Sequence, residues 1–363
     1  MVRISQQNLE DICAKIFMAL GVPETEAIDS AGILIAADAR GIRSHGMARI
    51  KRFADGLKSG QMSGGIKPEV LHETPISLVL DAKGGMGLPL SKNAMRKVMD
   101  KARESGVGVC SIRDSNHFGI AGVYSEMAAR EDMIGIAMTN TAALGVPTFA
   151  REAAFGTNPI AFAAPALDGK IFSLDMSTTT VTRGIVEVYE KDGKEIPAGW
   201  AVGKDGLTTT DPVSLLEDML HLRGGGLLPL GGETGAGYKG YGLGVMVDIL
   251  CAIASGGTFG RAVRDTLVSS ARVCHFFMAL RLDIFRPAEE FKKDMTAMLN
   301  DLNSLKPIEG KERVLYAGQI EQEIIAENQK NGIPLVDSTW DDISSIAKEL
   351  GIPVSDNIIL SRN

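Results

Sequence analysis

Two histidines stand in sequence contexts that suit proton transfer. His45 lies in the segment RSHGMAR, with Arg49 four residues further on. If a helix begins near Ser44, His45 and Arg49 project from the same helix face. The helix dipole and the guanidinium would then lower the pKa of His45, and Arg49 could hold a carboxylate through two parallel hydrogen bonds. On spacing alone, a solvated helix start that carries a polar histidine is the simpler interpretation.

The second histidine, His117, lies in the polar segment SNHFG between a strand-like run and the next helical segment. In α/β proteins the loops that follow strand C-termini collect ligands, so this position also favours a functional site. A loop histidine that only caps the following helix explains the pattern equally well.

Two further segments could bind phosphate. In LDMSTT at 174–179, Ser177 and Thr178 offer hydroxyl and backbone N–H groups to an anion, and Asp175 could orient a histidine. An ordinary helix N-cap accounts for the same residues. Lys239, flanked by glycines in GYKGYGL, supplies a point charge suited to phosphate, although a simple turn gives the same pattern.

The elements that must position these residues follow from the apolar periodicity. Apolar spacing predicts helices over 8–20, from Pro23 to near Gly41, and over about 44–60, which together form a helical layer. From Ile76, strand-like and helical runs alternate, and the turn at 167–170 predicts a hairpin, so the sheet is expected to be mixed. Residues 203–240 are expected to form a long loop, functional or disordered. Further helices are predicted over about 90–104, 120–130, 241–254 (a buried helix) and 287–304.

Composition excludes several classes of function. A net charge of −7 argues against a nucleic-acid-binding protein, which needs clustered cations. The sequence has no run of transmembrane length and no signal-peptide pattern at its N-terminus. The four cysteines are widely spaced without metal-binding patterns, which predicts reduced core residues, no metal site and a cytoplasmic protein. The dinucleotide fingerprint GxGxxG, the phosphate loop, the GxSxG elbow and HExxH are all missing from the sequence.

Taken together, the segments resemble the type 2 malate/L-lactate dehydrogenase family, which includes ureidoglycolate and sulfolactate dehydrogenases and diketogulonate reductases. The motifs that carry the resemblance span nearly the whole chain in the expected order: ADARGIRSHGMAR (37–49), SNHFG (115–119), FGTNPIAFAAP (155–165), LDMSTT (174–179), TTDP (209–212), LLPLGG (227–232), GYKGYGL (237–243) and GIPL (332–335).

The resemblance implies an α/β fold distinct from the Rossmann fold, assembled as a homodimer. A mixed-sheet cofactor domain would cover 76–284, and a helical domain would combine 1–75 with 285–363. By position, His45 would be the acid/base, with Ser44 and Asp175 as its relay. Some family members instead assign catalysis to the histidine that matches His117, so both histidines are retained, with His45 preferred.

The resemblance also implies binding positions. Arg49 and Asn158 would contact the substrate, and a second set of residues would bind the cofactor: Thr141, Ser173, Asp175, Met176, Ser177, Thr178, Lys239 and Gly318. Two departures from the family pattern are AGQIEQE around Gly318, where relatives often have PGE, and Thr182, where alanine is frequent. The expected function is hydride transfer between NAD(P)H, with NAD preferred, and C2 of a small 2-oxo or 2-hydroxy acid.

Oxaloacetate and malate are the first expectation for the substrate pair, with ureidoglycolate, L-lactate or sulfolactate as alternatives. A nucleotide-binding protein without catalysis is the alternative from another class. Neither nucleic acid nor membrane is expected as a partner.

Overall fold

The computed structural model describes residues 1–264, 269–354 and 358–362. The helices are α1 (Gln6–Ala19), α2 (Glu24–Ala39), α3 (Ile50–Lys58), α4 (Gly87–Ser105), α5 (Gly122–Ala129), α6 (Arg183–Lys191), α7 (Pro212–Leu220), α8 (Gly237–Asp248), α9 (Ala288–Ser304), α10 (Gln319–Asn331) and α11 (Asp337–Glu349). The strands are β1 (Val2–Ile4), β2 (Glu69–Glu73), β3 (Ser77–Asp81), β4 (Val107–Ser115), β5 (Met133–Thr139), β6 (Ile160–Pro165), β7 (Ile171–Met176), β8 (Ala201–Val202), β9 (Gly226–Leu227), β10 (Val273–Arg281), β11 (Ile333–Leu335) and β12 (Ile359–Arg362).

Seven strands form one mixed sheet in the order β2, β3, β4, β10, β5, β6, β7. The β3–β4 pair is parallel, and the other neighbouring pairs are antiparallel. The hairpin predicted at 167–170 joins β6 to β7. The predicted mixed sheet is therefore confirmed, and its order differs from that of a doubly wound parallel sheet.

Both faces of this sheet are covered. Successive residues of a strand point to opposite faces, so on β10 Phe277 packs in the cluster beneath α4 and α5, whereas Phe276 packs on the other side against Val247 and Cys251. The helix predicted over 241–254 is found as α8 and a π-helical continuation, Ile249–Ile253. It is not wholly buried as expected, because Ile249 and Ile253 are 51% and 52% exposed.

The third predicted helix begins later than expected, at Ile50 instead of near Ser44. Two short 3-10 turns, Arg43–His45 and Met47–Arg49, precede it and are separated by Gly46. The backbone at Gly46 leaves the helical region, with φ −94° and ψ −140°, which ends the first turn before an α-helix can form. The predicted one-helix arrangement of His45 and Arg49 is therefore wrong, although the two residues remain close.

The predicted long loop over 203–240 is also wrong, because it contains α7, β9 and a π-helical turn, Gly232–Ala236. Asp211 caps α7 by accepting hydrogen bonds from the N–H groups of Val213 and Ser214, and Pro212 occupies the first turn. Aspartate followed by proline is a helix-start signal. The region was nonetheless predicted to be a loop, because it is rich in Gly and Thr.

The two ends of the chain meet in a separate three-stranded sheet, in which β1 lies between β11 and β12. Further along the chain, α9 reaches the main sheet, where the Leu167 N–H donates to Thr296 Oγ1 over 2.9 Å. None of the helices in the described part of the chain combines the length and apolarity needed to cross a bilayer.

Candidate active site

A cleft of about 410 Å³ opens beside the ends of β4 and β5. Most of its lining comes from four stretches: residues 44–53, 116–119 after β4, 139–144 at the end of β5, and 182–187 at the start of α6. Both candidate histidines line it, together with Arg49 and Thr141. Its volume is in the range of small-molecule sites in proteins.

A buried carboxylate beneath the turn positions His45. Asp38 Oδ2 accepts a hydrogen bond from the Met47 N–H over 2.7 Å, and burial raises the pKa of Asp38 to about 7. A Cβ atom added at Gly46 would lie 2.2 Å from the Asp38 carboxyl carbon. Only glycine leaves room for this contact, so the glycine after His45 is required by packing on Asp38.

The His45 ring is partly buried, and its Nδ1 lies 2.8 Å from the Ser44 hydroxyl. Burial, and next the charge of Arg49, lower the pKa of His45 to about 4. The ring is therefore neutral at pH 7, with Ser44 fixing one of its two nitrogens.

His117 stacks on His45, with ring centroids 5.6 Å apart and ring planes at 24°. Its Nδ1 accepts a hydrogen bond from the Gly119 N–H over 3.2 Å. Burial is the main cause that holds the pKa of His117 well below its usual value, and the nearby His45 and Arg52 add to it. A neutral ring that accepts at Nδ1 must carry its proton on Nε2.

The Arg49 guanidinium is anchored by its Nε, which donates to the Ser44 carbonyl over 2.6 Å. Burial, followed by the charge of Arg52, lowers the pKa of Arg49, while Glu187 opposes that effect. The anchor orients the group, and the Nη atoms of an oriented guanidinium are paired donors suited to a carboxylate.

A third histidine supports the cleft from below. His275 on β10 is fully buried and bridges two strands: its Nδ1 lies 2.8 Å from Thr139 Oγ1 and its Nε2 lies 2.8 Å from Ser115 Oγ. The ring stacks on Phe118, with centroids 4.6 Å apart. Burial lowers the pKa of His275 to about 3, so it stays neutral. His275 thereby fixes the ends of β4 and β5, which lead into the cleft residues 116–119 and 139–144.

Asn158, expected to contact substrate, lies directly behind the cleft wall between Thr157 and Pro159. Its Oδ1 accepts from the Thr141 N–H over 3.1 Å, and its Nδ2 donates to the Gly244 carbonyl over 2.8 Å. The side chain is completely buried, at a positive φ of 35°. It therefore fixes Thr141 in the cleft wall, and its contact with substrate stays a prediction.

Asp175, expected to act as a relay for His45, contacts the start of α5. Asp175 Oδ2 accepts from the Gly122 N–H over 2.7 Å, and burial raises the pKa of Asp175 to about 6. The carboxylate is thus engaged at the start of α5, and among the charged groups around it Glu126 has the largest effect on its pKa. Of the predicted relay, the Ser44 contact to His45 is present.

Two segments that are predicted to bind the cofactor, around Ser173 and around Gly318, meet at β7. The Ser173 N–H donates to the Ala317 carbonyl over 3.1 Å, and its hydroxyl donates to Glu126 Oε1 over 3.0 Å. A Cβ atom added at Gly318, where φ is +88°, would lie 2.8 Å from the Ser173 side chain. The segment AGQIEQE at 317–323 departs from the family pattern, but it retains the glycine that this close approach requires.

The remaining predicted cofactor residues are placed as follows. Thr178 is fully buried and donates to the Thr157 carbonyl, and the Ser177 hydroxyl donates to the Thr179 carbonyl. Met176 ends β7, next to them. Lys239 is exposed in the first turn of α8, outside the cleft. Residues 139–141 give the cleft wall hydrogen-bonding groups, whereas glycine is required at position 318 by its close contact with Ser173.

Sequence reasoning missed several residues of this site. Sequence reasoning singled out neither Arg52, Arg183 and Glu187, which line the cleft, nor His275, which supports it. Arg52 could have been found, because it follows Arg49 by three residues and so shares its side of the helix. Nothing local marks His275, whose partners come from two distant strands.

Known proteins resemble the chain over almost its full length. The sequence profile of the family described as malate/L-lactate dehydrogenase matches residues 4–344. Malate dehydrogenase from Pyrococcus abyssi is 42% identical over 353 residues, which cover 97% of this chain and 96% of that protein. L-sulfolactate dehydrogenase from Methanocaldococcus jannaschii is 36% identical over 358 residues, or 98% and 99% of the two chains. The crystal structure of malate dehydrogenase from Entamoeba histolytica matches with a TM-score of 0.93 at 31% identity, covering 97% of this chain and 99% of that one.

Proposed function

The chain belongs to the malate/L-lactate dehydrogenase family and is a nicotinamide-dependent 2-hydroxy acid dehydrogenase; from that premise we propose that it interconverts oxaloacetate and malate, with NAD as the preferred cofactor. The observation that carries the proposal is the single cleft in which His45, His117 and Arg49 meet. The nicotinamide, when bound, exchanges a hydride with C2 of the acid. The protein must bind the carboxylate and exchange the proton of the C2 oxygen.

Arg49 binds the C1 carboxylate. Its Nε bond to the Ser44 carbonyl aims the guanidinium into the cleft beside both histidines. A carboxylate held there places the C2 oxygen close to the imidazoles, because C2 is bonded directly to the carboxyl carbon. Arginine suits this role better than lysine because its planar fork matches the two carboxylate oxygens.

The hydrogen bonds of the two histidines favour different roles for them. When the hydroxy acid is oxidised, a neutral imidazole must accept the hydroxyl proton at a free nitrogen. His45 can do so at Nε2 if its Nδ1–H donates to Ser44, and the same contact stabilises the imidazolium that forms. His117 carries its proton on Nε2 and uses Nδ1 for the Gly119 N–H, so it is suited to donate a hydrogen bond to the C2 oxygen. We therefore assign the acid/base to His45 and oxyanion stabilisation to His117.

The residues 76–284 form the proposed cofactor domain, and 1–75 with 285–363 the proposed helical domain. The adenosine half would be held by residues of β7, by the two residues that follow it and by one glycine near the C-terminal helices: Ser173, Asp175, Met176, Ser177, Thr178 and Gly318. Thr141 would lie near the nicotinamide, and Lys239 would lie near a phosphate. The carboxylate of Glu126 beside Asp175 is already paired with Arg40 and Arg130, so the choice between NAD and NADP is tested by the cofactor comparison described below.

We further propose a cytoplasmic homodimer. Ile249 and Ile253, four residues apart, share one exposed face of the π-helical segment, which is the kind of surface that a second subunit covers. All four cysteines are buried and unpaired, in keeping with a reducing compartment. Light scattering of the purified protein tests the dimer, and a monomer at micromolar concentration would contradict it.

The function is tested with a panel of 2-oxo acids. Each acid is added to the protein with NADH, and then with NADPH, and its reduction is measured as the fall in nicotinamide absorbance. Fastest reduction of oxaloacetate is expected, with ureidoglycolate as the runner-up in the oxidative direction. Tight NADH binding without turnover of any acid would favour a non-catalytic nucleotide-binding protein instead.

A further inference from the structure

The cleft wall that carries Thr141 is held from behind by two amide side chains. Asn158 accepts a hydrogen bond from the Thr141 N–H and donates to the Gly244 carbonyl over 2.8 Å. Asn140, which lines the cleft beside Thr141, is fully buried, and its Nδ2 donates to Asp248 Oδ1 over 2.9 Å. Gly244 and Asp248 lie four residues apart in α8 and so share one side of that helix. One side of α8 therefore anchors this wall at two points.

The amide of Asn140 has a fixed orientation. Its Nδ2 also donates to the Thr258 carbonyl over 2.9 Å, and its Oδ1 accepts from the Cys274 N–H over 2.7 Å. Both protons of the amide are thus used, one of them by Asp248. If that acceptor is lost, a buried N–H is left without its partner, which is costly enough to move the segment toward another acceptor. The position of this stretch of the cleft wall therefore depends on Asp248.

Asp248 accepts hydrogen bonds from more than one element. Burial raises the pKa of Asp248. Hydrogen bonds from the side chains of Asn140 and Asn158 and from the Gly260 N–H oppose that rise, because they stabilise the ionised carboxylate. Asp248 is also the last residue of α8, directly before the π-helical segment Ile249–Ile253. Such π-helical turns are rare and recur at functional sites.

We propose that Asp248 is a positioning residue for hydride transfer, which through Asn140 fixes Thr141 and the cleft wall against which the nicotinamide binds. The inference rests on the proposed dehydrogenase function and on the proposed place of Thr141 near the nicotinamide. The described lining of the cleft does not include Asp248, so its effect passes through Asn140. Loss of the contact should slow the hydride step and leave NADH binding nearly unchanged, because the residues proposed to hold the adenosine half keep their places.

The test measures the hydride-transfer step for each folded active site, with the cofactor and acid on which the wild type is fastest, expected to be NADH and oxaloacetate. NADH-binding sites are counted by fluorescence titration, and the loaded protein is then mixed with saturating oxaloacetate in a stopped-flow spectrophotometer. Asp248→Asn keeps the shape of the side chain but replaces one acceptor oxygen by a donor group. The rate per site should fall about 10- to 100-fold, because a small misplacement of the reacting groups is sufficient for such a loss. The dissociation constant of NADH and the KM for oxaloacetate should each change less than about threefold.

Ser111→Ala is the matched control. The Ser111 hydroxyl donates to the Leu250 carbonyl over 2.9 Å, so it anchors the same helical region to β4 instead of to the cleft wall. This variant should lower the midpoint of thermal denaturation and leave the rate per site unchanged. An unchanged rate per site in Asp248→Asn, or an equal fall in both variants, would show that Asp248 only stabilises the fold and would overturn its positioning role.

A second variant covers the case in which Asp248→Asn yields no NADH-binding sites. Asp248→Ser is then measured in the same way, since a hydroxyl can accept where the amide group can only donate. The same slow rate per site is expected, and a second loss of all NADH-binding sites would assign Asp248 to folding alone. A wild type that reduces no 2-oxo acid with either cofactor would instead refute the proposed dehydrogenase function.

Discussion

The pH dependence of the reaction follows from the environment of His45. Burial and Arg49 lower the pKa of this imidazole from 6.5 to about 4. Relative to the protonated ring, this lowering of the pKa favours the neutral ring by about 3 kcal/mol more than in an exposed histidine. Oxidation of the hydroxy acid needs this neutral ring, and reduction of the oxo acid needs the protonated one.

The sign of the effect therefore differs between the two directions. In oxidation, kcat/KM should be constant from about pH 9 down to about pH 5 and fall only with a midpoint near 4. In reduction, kcat/KM should decrease about tenfold per pH unit above that pKa. A bound carboxylate offsets the charge of Arg49, so the midpoint in kcat should lie higher than the midpoint in kcat/KM.

Initial rates in both directions, from pH 4 to 9, measure these profiles, and activity recovered after return to pH 7 controls for acid denaturation. In His45→Ala, kcat should fall about 10²- to 10⁴-fold and the acidic limb should disappear. In His117→Ala, the loss should be smaller and the limb should remain. An oxidation midpoint near 6.5 in the wild type, or an acidic limb that survives in His45→Ala, would refute the assignment of the acid/base to His45.

Three other substitutions test separate parts of the site. Arg49→Lys keeps the charge but loses the planar fork, so the KM for the oxo acid should rise about 10- to 100-fold with the cofactor KM unchanged; normal kinetics would remove Arg49 from carboxylate binding. Lys239→Ala should raise the cofactor KM with little change in kcat, and an unchanged cofactor affinity would contradict the proposed phosphate contact. Gly46→Ala should destabilise the fold by about 1–3 kcal/mol, as judged from thermal denaturation, because the new methyl group meets the Asp38 carboxyl. Gly32→Ala, in α2 with no atom within 4 Å of an added Cβ, is its control and should be neutral or slightly stabilising; equal effects of the two would argue against the Asp38 contact.

Local sequence signals were sufficient for the elements whose cause is local. The periodic apolar spacing gave α1 and α2, and the short turn at 167–170 gave the β6–β7 hairpin, because each depends on neighbouring residues. The same signals failed at residues 43–49. There the backbone is set by Asp38, a residue from the preceding helix whose contact leaves room only for glycine at position 46.

The site was predicted in part for the same reason. His45, His117 and Arg49 could be proposed from their segments and from the family resemblance, and the structure brings all three into one cleft. Asp175 and Asn158 were assigned to catalysis and to substrate binding from the family resemblance, by their positions in the matching motifs. Which backbone N–H a carboxylate or amide meets depends on strand register, and β7 brings Asp175 to Gly122 of α5 instead of to His45. His275 required knowledge of two strand pairings, to β4 and to β5.

The small sheet that joins the chain ends has a consequence for biosynthesis. Val2 pairs with both Leu335 and Arg362, so the partners of the first strand are synthesised long after it. The earliest helices must wait, with part of their apolar surface uncovered, until these distant segments have been synthesised. Closing so long a loop is slow, and exposed apolar surface during that interval favours aggregation. Expression at a lower temperature, or together with a chaperone that shields nascent chains, should therefore increase the yield of folded protein. Substitutions of cleft residues should change that yield less.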